Sequence, residues 1–103
     1  MQIVRARDFI ADRGWAARDI AVLDGTSVRL HWTDQPYRWH VNDGQEVFVV
    51  LDGMVDMHCR DATGEHVLRM TVGDIFHAEA GDAHVAHPLG AARILVIERA
   101  ASA

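Results

Sequence analysis

The chain has 103 residues, half of them apolar, and this length favours one domain with one hydrophobic core. Its single cysteine, Cys59, excludes a disulfide scaffold and is typical of a protein kept in a reducing compartment. Ten basic residues, all arginine, stand against fifteen acidic ones, and the net charge of -5 argues against a nucleic-acid partner. No apolar run approaches the roughly 20 residues that span a bilayer. We therefore expect a cytoplasmic protein without a membrane partner.

The first 19 residues form an N-terminal segment with a short helical signal. Asp8 is a candidate N-cap for a helical turn over 8–18, and Gly14 would end that turn early. Trp15 gives the same segment an apolar side chain to bury. We therefore expect a short helical turn here, ahead of the main fold.

Alternation of apolar and polar residues from residue 20 to 98 predicts β-strands. One example is Val28, Leu30 and Trp32, which share one face of a predicted strand. Turn signals such as Asp-Gly and Gly-Asp recur about every ten residues. The run 93–99 is apolar on both faces in its middle, which predicts a central strand. Many short strands with almost no helix indicate an antiparallel sandwich or barrel.

Polar side chains gather around the predicted turn at 43–44. His40 and Asn42 are two residues apart on one predicted strand, so their side chains leave the same face of the sheet. The turn then reverses the chain, which would place Glu46 nearly opposite Asn42 in a hairpin. His84 follows a second turn and joins the set if its strand lines the same cavity.

These residues and their spacing resemble the first sequence motif of the cupins, G-x5-H-x-H-x3,4-E-x6-G. His40, Glu46 and Gly53 match its first His, its Glu and its last Gly. Asn42 stands in place of the second His, and Asp34 in place of the leading Gly.

The second cupin motif, G-x5-P-x-G-x2-H-x3-N, is matched by Gly73, Gly81 and His84 at every spacing. Glu79 stands where the Pro is expected, and Pro88 stands where the Asn is. Two motifs at the correct spacing are a more specific signal than either alone. The chain therefore resembles a small single-domain cupin.

The resemblance implies an all-β fold, a double-stranded β-helix or jelly-roll barrel of two antiparallel sheets, within one domain over 1–103. The barrel is expected over 20–98. The resemblance also implies that His40, Glu46 and His84 hold one divalent transition metal, Fe, Mn, Ni or Zn. Asn42 is the fourth candidate ligand, and its amide oxygen is a weaker donor than an imidazole. Two His and one carboxylate leave open coordination positions, as in the facial triad of Fe(II) oxygenases.

Two functions from different classes fit this site. The first is a metal-dependent enzyme, a dioxygenase or a sugar isomerase or epimerase, acting on a small polar or anionic molecule that Arg38 orients. Arg38 fits equally well as a solvent-exposed residue at the end of a strand, without a role in ligand binding. The second function is a non-catalytic module that binds a sugar-like ligand with weak or no metal. Family analogy and the apolar N-terminal segment also predict a homodimer.

The remaining polar candidates are expected outside the metal site. Cys59 has no predicted base or positive neighbour to activate it, so we expect an inert thiol. Aromatic residues on alternating strands usually belong to the core. The other histidines are expected to face solvent, the barrel rim or an interface: His31, His58, His66, His77 and His87.

Overall fold

The computed structural model describes residues 1–100 of the chain. These residues form nine β-strands and one short 3-10 turn, Ala6–Asp8. The strands are β1 (Ala16–Leu23), β2 (Thr26–Thr33), β3 (His40–Val41), β4 (Glu46–Asp52), β5 (Val55–Asp61), β6 (Gly64–Met70), β7 (Ile75–Ala78), β8 (Ala83–Pro88) and β9 (Ala92–Arg99). Within residues 1–100, no helix has the length and hydropathy to cross a membrane.

The strands pair into two antiparallel sheets that face each other. The five-stranded sheet has the order β1-β2-β9-β4-β7, and the four-stranded sheet has the order β3-β8-β5-β6. Strand β9 lies between β2 and β4, so the run 93–99 is a central strand, as its apolar middle predicted. The all-β prediction and the two-sheet barrel are confirmed.

The N-terminal segment differs from its prediction. Asp8 ends the 3-10 turn instead of capping the start of a helix, and β1 begins at Ala16, before the expected barrel start at residue 20. Ala16 pairs with Trp32 at one end of a long antiparallel register with β2. Backbone pairing over that whole strand outweighs the helical signal, because an isolated helix this short is marginal in water.

The chain changes sheets between β3 and β4, and the predicted hairpin was therefore wrong. Strand β3 pairs with β8 in the four-stranded sheet, whereas β4 pairs with β7 and β9 in the five-stranded sheet. Glu46 consequently lies opposite Ala78 and Glu98, not opposite Asn42. A turn signal shows that the chain reverses, but it does not show which strand the next segment will pair with.

The core lies between the two sheets and is built from alternate residues of each strand. Along β4, Glu46, Phe48 and Val50 are buried while the residues between them are only partly buried. The apolar core contains Phe48, Val50, Val55, Met57, Met70, Ala86, Ala92, Ile94 and Val96. Because alternate residues of β4 face inward, the Glu46 carboxylate lies in the barrel interior, where a charged group requires a partner.

Candidate metal centre

His40, Glu46 and His84 converge at one end of the barrel interior. His40 and His84 are direct cross-strand partners in β3 and β8, and Glu46 begins β4 in the facing sheet. One potential ligand atom from each residue lies within 4.8 Å of the other two. The three predicted ligands are therefore brought together by both sheets, and ligation itself stays a prediction.

The ring of His40 is oriented by its backbone surroundings. Its Nδ1 lies 3.1 Å from the carbonyl oxygen of Arg38. Because a carbonyl only accepts hydrogen bonds, this contact selects the neutral tautomer that carries its proton on Nδ1 and its lone pair on Nε2. Tyr37 packs edge-on against the ring, with centroids 5.3 Å apart. Metal-binding histidines generally have this arrangement, with one nitrogen donating to a carbonyl and the other free to coordinate.

His84 is placed between two oxygen atoms. Its Nε2 lies 3.1 Å from Oε1 of Glu46 and 2.8 Å from Oδ1 of Asn42. Metal–nitrogen and metal–oxygen bonds are about 2.0–2.2 Å long, so two ligands at a right angle lie roughly 3 Å apart. The spacing of these three atoms therefore fits donors that share one ion.

Buried polar atoms without hydrogen-bond partners also cluster here. Among residues 1–100 they are Oε1 of Glu46, Nδ2 of Asn42 and Nδ1 of His84. An unsatisfied buried polar atom costs about 1–3 kcal/mol. A cation would satisfy the Glu46 oxygen, so the donor set fits a metal.

A cavity of about 230 Å³ opens beside the three donors. At about 30 Å³ per water molecule, it holds the volume of seven or eight waters, which suits a small molecule. Ala17, Phe48, Ala86 and Val96 form its apolar wall. Its other lining residues are aromatic or charged and include Trp15, Arg29, His31, Tyr37 and Glu98.

Arg38 lies at the edge of this region and does not line the cavity. It is exposed, and its guanidinium carbon lies 5.1 Å from the centroid of the Tyr37 ring. Its backbone carbonyl, and not its side chain, contacts the candidate metal centre. A contact between its guanidinium and a ligand stays a prediction.

His31 lines the cavity, and the expectation that it faces solvent or an interface was wrong. Alternation puts His31 on the opposite face of β2 from Leu30 and Trp32, and this pattern predicts that the apolar face is the interior one. Both apolar residues are buried on the other face of the sheet instead. Arg93, which pairs with Trp32, donates a hydrogen bond to the carbonyl of Phe9, so the N-terminal segment crosses that face. Burial lowers the pKa of His31 below 6.5.

Two carboxyl groups of the cavity, Glu46 and Glu98, are cross-strand partners. Burial raises the pKa of Glu98, and the charge and hydrogen bond of Glu46 raise it further, to about 7. Burial also acts to raise the pKa of Glu46, but the ion-pair contact with the His84 imidazole, whose Nε2 lies 3.1 Å from Oε1, outweighs it and lowers that pKa below 4.5. Glu46 is therefore the ionised carboxylate, and Glu98 retains a proton up to neutral pH.

The other histidines lie apart from the three donors. His77 is exposed and its Nε2 lies 2.8 Å from Oε1 of Gln45. His58 and His87 pack against each other, with ring centroids 4.1 Å apart. His66 contacts Thr63 and Asp61 at a surface turn. Burial raises the pKa of the Cys59 thiol, which disfavours the reactive thiolate.

No family model matches the sequence, and no curated protein is detectably similar to it. Solved structures do match. A cupin-2 domain protein of Shewanella frigidimarina is 23% identical, with 86% of this chain and 84% of that chain covered and a TM-score of 0.76. A cupin superfamily protein of Desulfitobacterium hafniense is 15% identical, with 95% and 90% covered and a TM-score of 0.79.

An enzyme is also among the similar structures. Co(II) HppE in complex with its substrate is 13% identical, with 82% of this chain and 52% of that chain covered and a TM-score of 0.69. Likeness at these identities establishes architecture. Together with the two facing antiparallel sheets, it shows that this chain has the cupin fold, the double-stranded β-helix.

Proposed function

We propose that this chain is a metal-dependent cupin enzyme in which His40, Glu46 and His84 hold one divalent transition metal. The observation that supports the proposal most directly is the orientation of the His40 ring beside the other two donors. Its Nδ1 is bound to a backbone carbonyl, and the three donor groups lie within 4.8 Å of one another. Asn42 is the fourth candidate ligand, and its amide oxygen makes the site weaker than one with a third imidazole.

Two imidazoles and one carboxylate leave coordination positions open for a substrate. A bound ion would supply Lewis-acid polarisation of a substrate oxygen, or redox chemistry if it is iron or manganese. A dioxygenase and a sugar isomerase or epimerase both fit this donor set. The similarity to HppE, whose structure was solved as the Co(II) form in complex with its substrate, supports a metal-dependent enzyme.

Metal content tests the proposal directly. Protein purified without chelator and incubated with Fe(II), Mn(II), Ni(II) or Zn(II) should retain close to one equivalent of one of them per chain after desalting. His84→Ala should lose it, because it removes the nitrogen between Glu46 and Asn42. His77→Ala is the matched control, since His77 is exposed and bound to Gln45. Wild-type protein that retains none of these metals contradicts the proposal.

A second function, a non-catalytic binding module, is favoured by one observation. Oδ1 of Asn42 lies 2.8 Å from Nε2 of His84, so the imidazole can donate to an amide and be satisfied without an ion. In this case the cavity would bind a small sugar-like ligand with weak or no metal. Ligand binding that survives excess chelator, with no turnover across substrate panels, would support the module over the enzyme.

We further propose that residues 1–103 form one domain that acts as a cytoplasmic homodimer. The single cysteine, Cys59, has no partner within the sequence for a disulfide bond, which suits a reducing compartment. Trp15 does not supply the dimer surface that its sequence suggested, because it lines the cavity and donates from Nε1 to the carbonyl of Gln35. The outer face of the five-stranded sheet is the better candidate, since it carries partly buried or exposed apolar residues: Val47, Val49, Ile75, Leu95 and Ile97.

A further inference from the structure

We propose that Arg29, and not Arg38, is the anion-binding residue of the cavity, and that the ligand carries a carboxylate or phosphate oxyanion. This inference names the substrate class of the site and rests on the proposed function for the metal beside it. Arg29 lines the cavity, whereas Arg38 lies outside it.

The sheet register places Arg29 across the cavity from the metal ligands. Arg29 pairs with Val96 in β9, and Val96 pairs with Phe48 in β4. Phe48 is two residues from Glu46 on the same inward face. With strands about 4.8 Å apart and a rise of about 3.4 Å per residue, the Arg29 and Glu46 backbones are about 12 Å apart. A small ligand between them can contact the ion at one end and the guanidinium at the other.

The guanidinium of Arg29 is held at one nitrogen and free at the others. Its Nε donates to Oδ1 of Asp19 at 2.8 Å, and its terminal nitrogens have no hydrogen-bond partner among residues 1–100. The two terminal groups form the planar fork that binds carboxylate and phosphate oxygens in pairs. The bond to Asp19 limits the rotation of the guanidinium without occupying that fork.

Arg29 also stands where the cavity meets a neighbouring groove. That groove, of about 240 Å³, is lined by Arg29 and Glu98 together with Asp19 and Ser27. Arg29 and Glu98 line both spaces, so a ligand that enters by the groove passes the guanidinium.

A bound metal would cancel the negative charge of the groups around the cavity. Its lining residues include the cationic Arg29 and two carboxyl groups, Glu46 and Glu98, and Asp19 pairs with Arg29 from outside the cavity. With all three carboxyl groups ionised, a divalent ion together with Arg29 balances their charge. An oxyanion would then meet no net repulsion in the cavity, although the chain as a whole has a net charge of -5.

The test compares Arg29→Gln with its matched control Arg38→Gln, in the Co(II)-loaded and the metal-free full chain. Succinate and inorganic phosphate are the anionic probes, and succinamide is the uncharged probe. Calorimetry or NMR titration gives the Kd for each probe. Co(II) binding is measured separately, and a denaturation midpoint shows that each variant is folded. Arg29→Gln should weaken binding of succinate or of phosphate about tenfold or more in the Co(II)-loaded chain. Arg38→Gln should change it less than twofold.

The outcomes separate this inference from the proposed function. Failure of the wild type to bind Co(II) overturns the metal site. In that case, the ratio of the anion Kd of Arg29→Gln to that of the wild type, both measured in the metal-free chain, decides the role of Arg29. Normal Co(II) binding with equal anion affinity in wild type and Arg29→Gln overturns the inference alone. Succinamide binding that is as tight as succinate binding, or no saturable anion binding in either form, also overturns it. Preferential binding of succinate or of phosphate identifies which oxyanion the fork accepts.

Discussion

At the scale of single residues, Asn42 decides how strong the candidate metal site is. Its side chain is buried, and Oδ1 lies within hydrogen-bond distance of the His84 imidazole. It therefore occupies the space in which a second histidine of the cupin motif would stand. An amide oxygen is a neutral, hard donor, whereas imidazole suits the borderline transition metals better.

Asn42→His should raise the affinity for Zn(II) or Ni(II) at least about tenfold, equivalent to about 1.4 kcal/mol. The added imidazole would lie beside His84 and complete a three-histidine set. Competition with a chromophoric chelator measures the change, and Val41→His is the control, because Val41 is exposed on the opposite face of the chain from Asn42. An affinity equal to that of the wild type would show that the side chain at position 42 does not reach the ion.

Glu98 is expected to make the stability of the metal-free protein fall as the pH rises from about 5 to 8. Its folded-state pKa is raised to about 7, so the folded protein holds a proton that the unfolded chain has already released. The stabilisation is present at low pH and is lost as Glu98 ionises. Glu98→Gln should remove this part of the pH dependence, which urea denaturation midpoints across that range would reveal.

The same measurements on Glu79→Gln provide the control, because Glu79 is exposed. The lowered pKa of Glu46 acts in a separate window below pH 4.5, where protonation of that carboxylate removes its stabilising contacts. A Glu98→Gln profile parallel to that of the wild type would contradict the assignment to Glu98.

At the scale of the elements, the turn between β4 and β5 makes a close backbone contact with the segment that precedes β9. Gly53 lies between β4 and β5 with a φ of +82°, and a Cβ there would stand 2.5 Å from the carbonyl oxygen of Ala91. The backbone before β9 therefore packs directly against this turn. The glycine that ends the first cupin motif is required for this close contact as well as for its positive φ.

Gly53→Ala should lower the free energy of unfolding by about 3 kcal/mol, because it adds a backbone clash to the strain of a positive φ. Gly25→Ala is the matched control. Gly25 has a φ of +79°, but an added Cβ would meet nothing within 4 Å, so only about 1 kcal/mol is expected. Chemical denaturation measures both, and equal losses would show that the contact with Ala91 does not contribute.

At the scale of the whole molecule, the described chain has a radius of gyration of 13.2 Å, close to the roughly 13 Å of a one-domain protein of 100 residues. The outer face of the five-stranded sheet carries apolar side chains on neighbouring strands, with Ile75 67% exposed beside Val49. This face is where the proposed homodimer would form.

Ile75→Glu should shift the protein from dimer to monomer and raise the dimer dissociation constant at least about tenfold, since it buries a charge in an apolar contact. Sedimentation velocity over a range of concentrations measures the change. Val67→Glu on β6 of the other sheet is the control, because Val67 is also exposed. A wild-type monomer, or equal effects of the two variants, would contradict this interface.

Motif spacing and alternation were sufficient to predict the all-β barrel and to select His40, Glu46 and His84, which the fold does bring together. Both signals are local, because strand parity and turn residues act over a few positions. They do not specify which strand pairs with which, so the transfer of Glu46 to the facing sheet was missed.

Only the tertiary structure decided which face of β2 is interior. Leu30 is buried on one face and His31 lines the cavity on the other, so polarity alone selected the wrong side. The N-terminal segment crosses the Leu30 face beside Arg93, and alternation within β2 does not show that contact. The sequence by itself determined the barrel and the four candidate ligands, whereas the cavity residues Arg29, His31 and Glu98 emerge only when the two sheets are brought face to face.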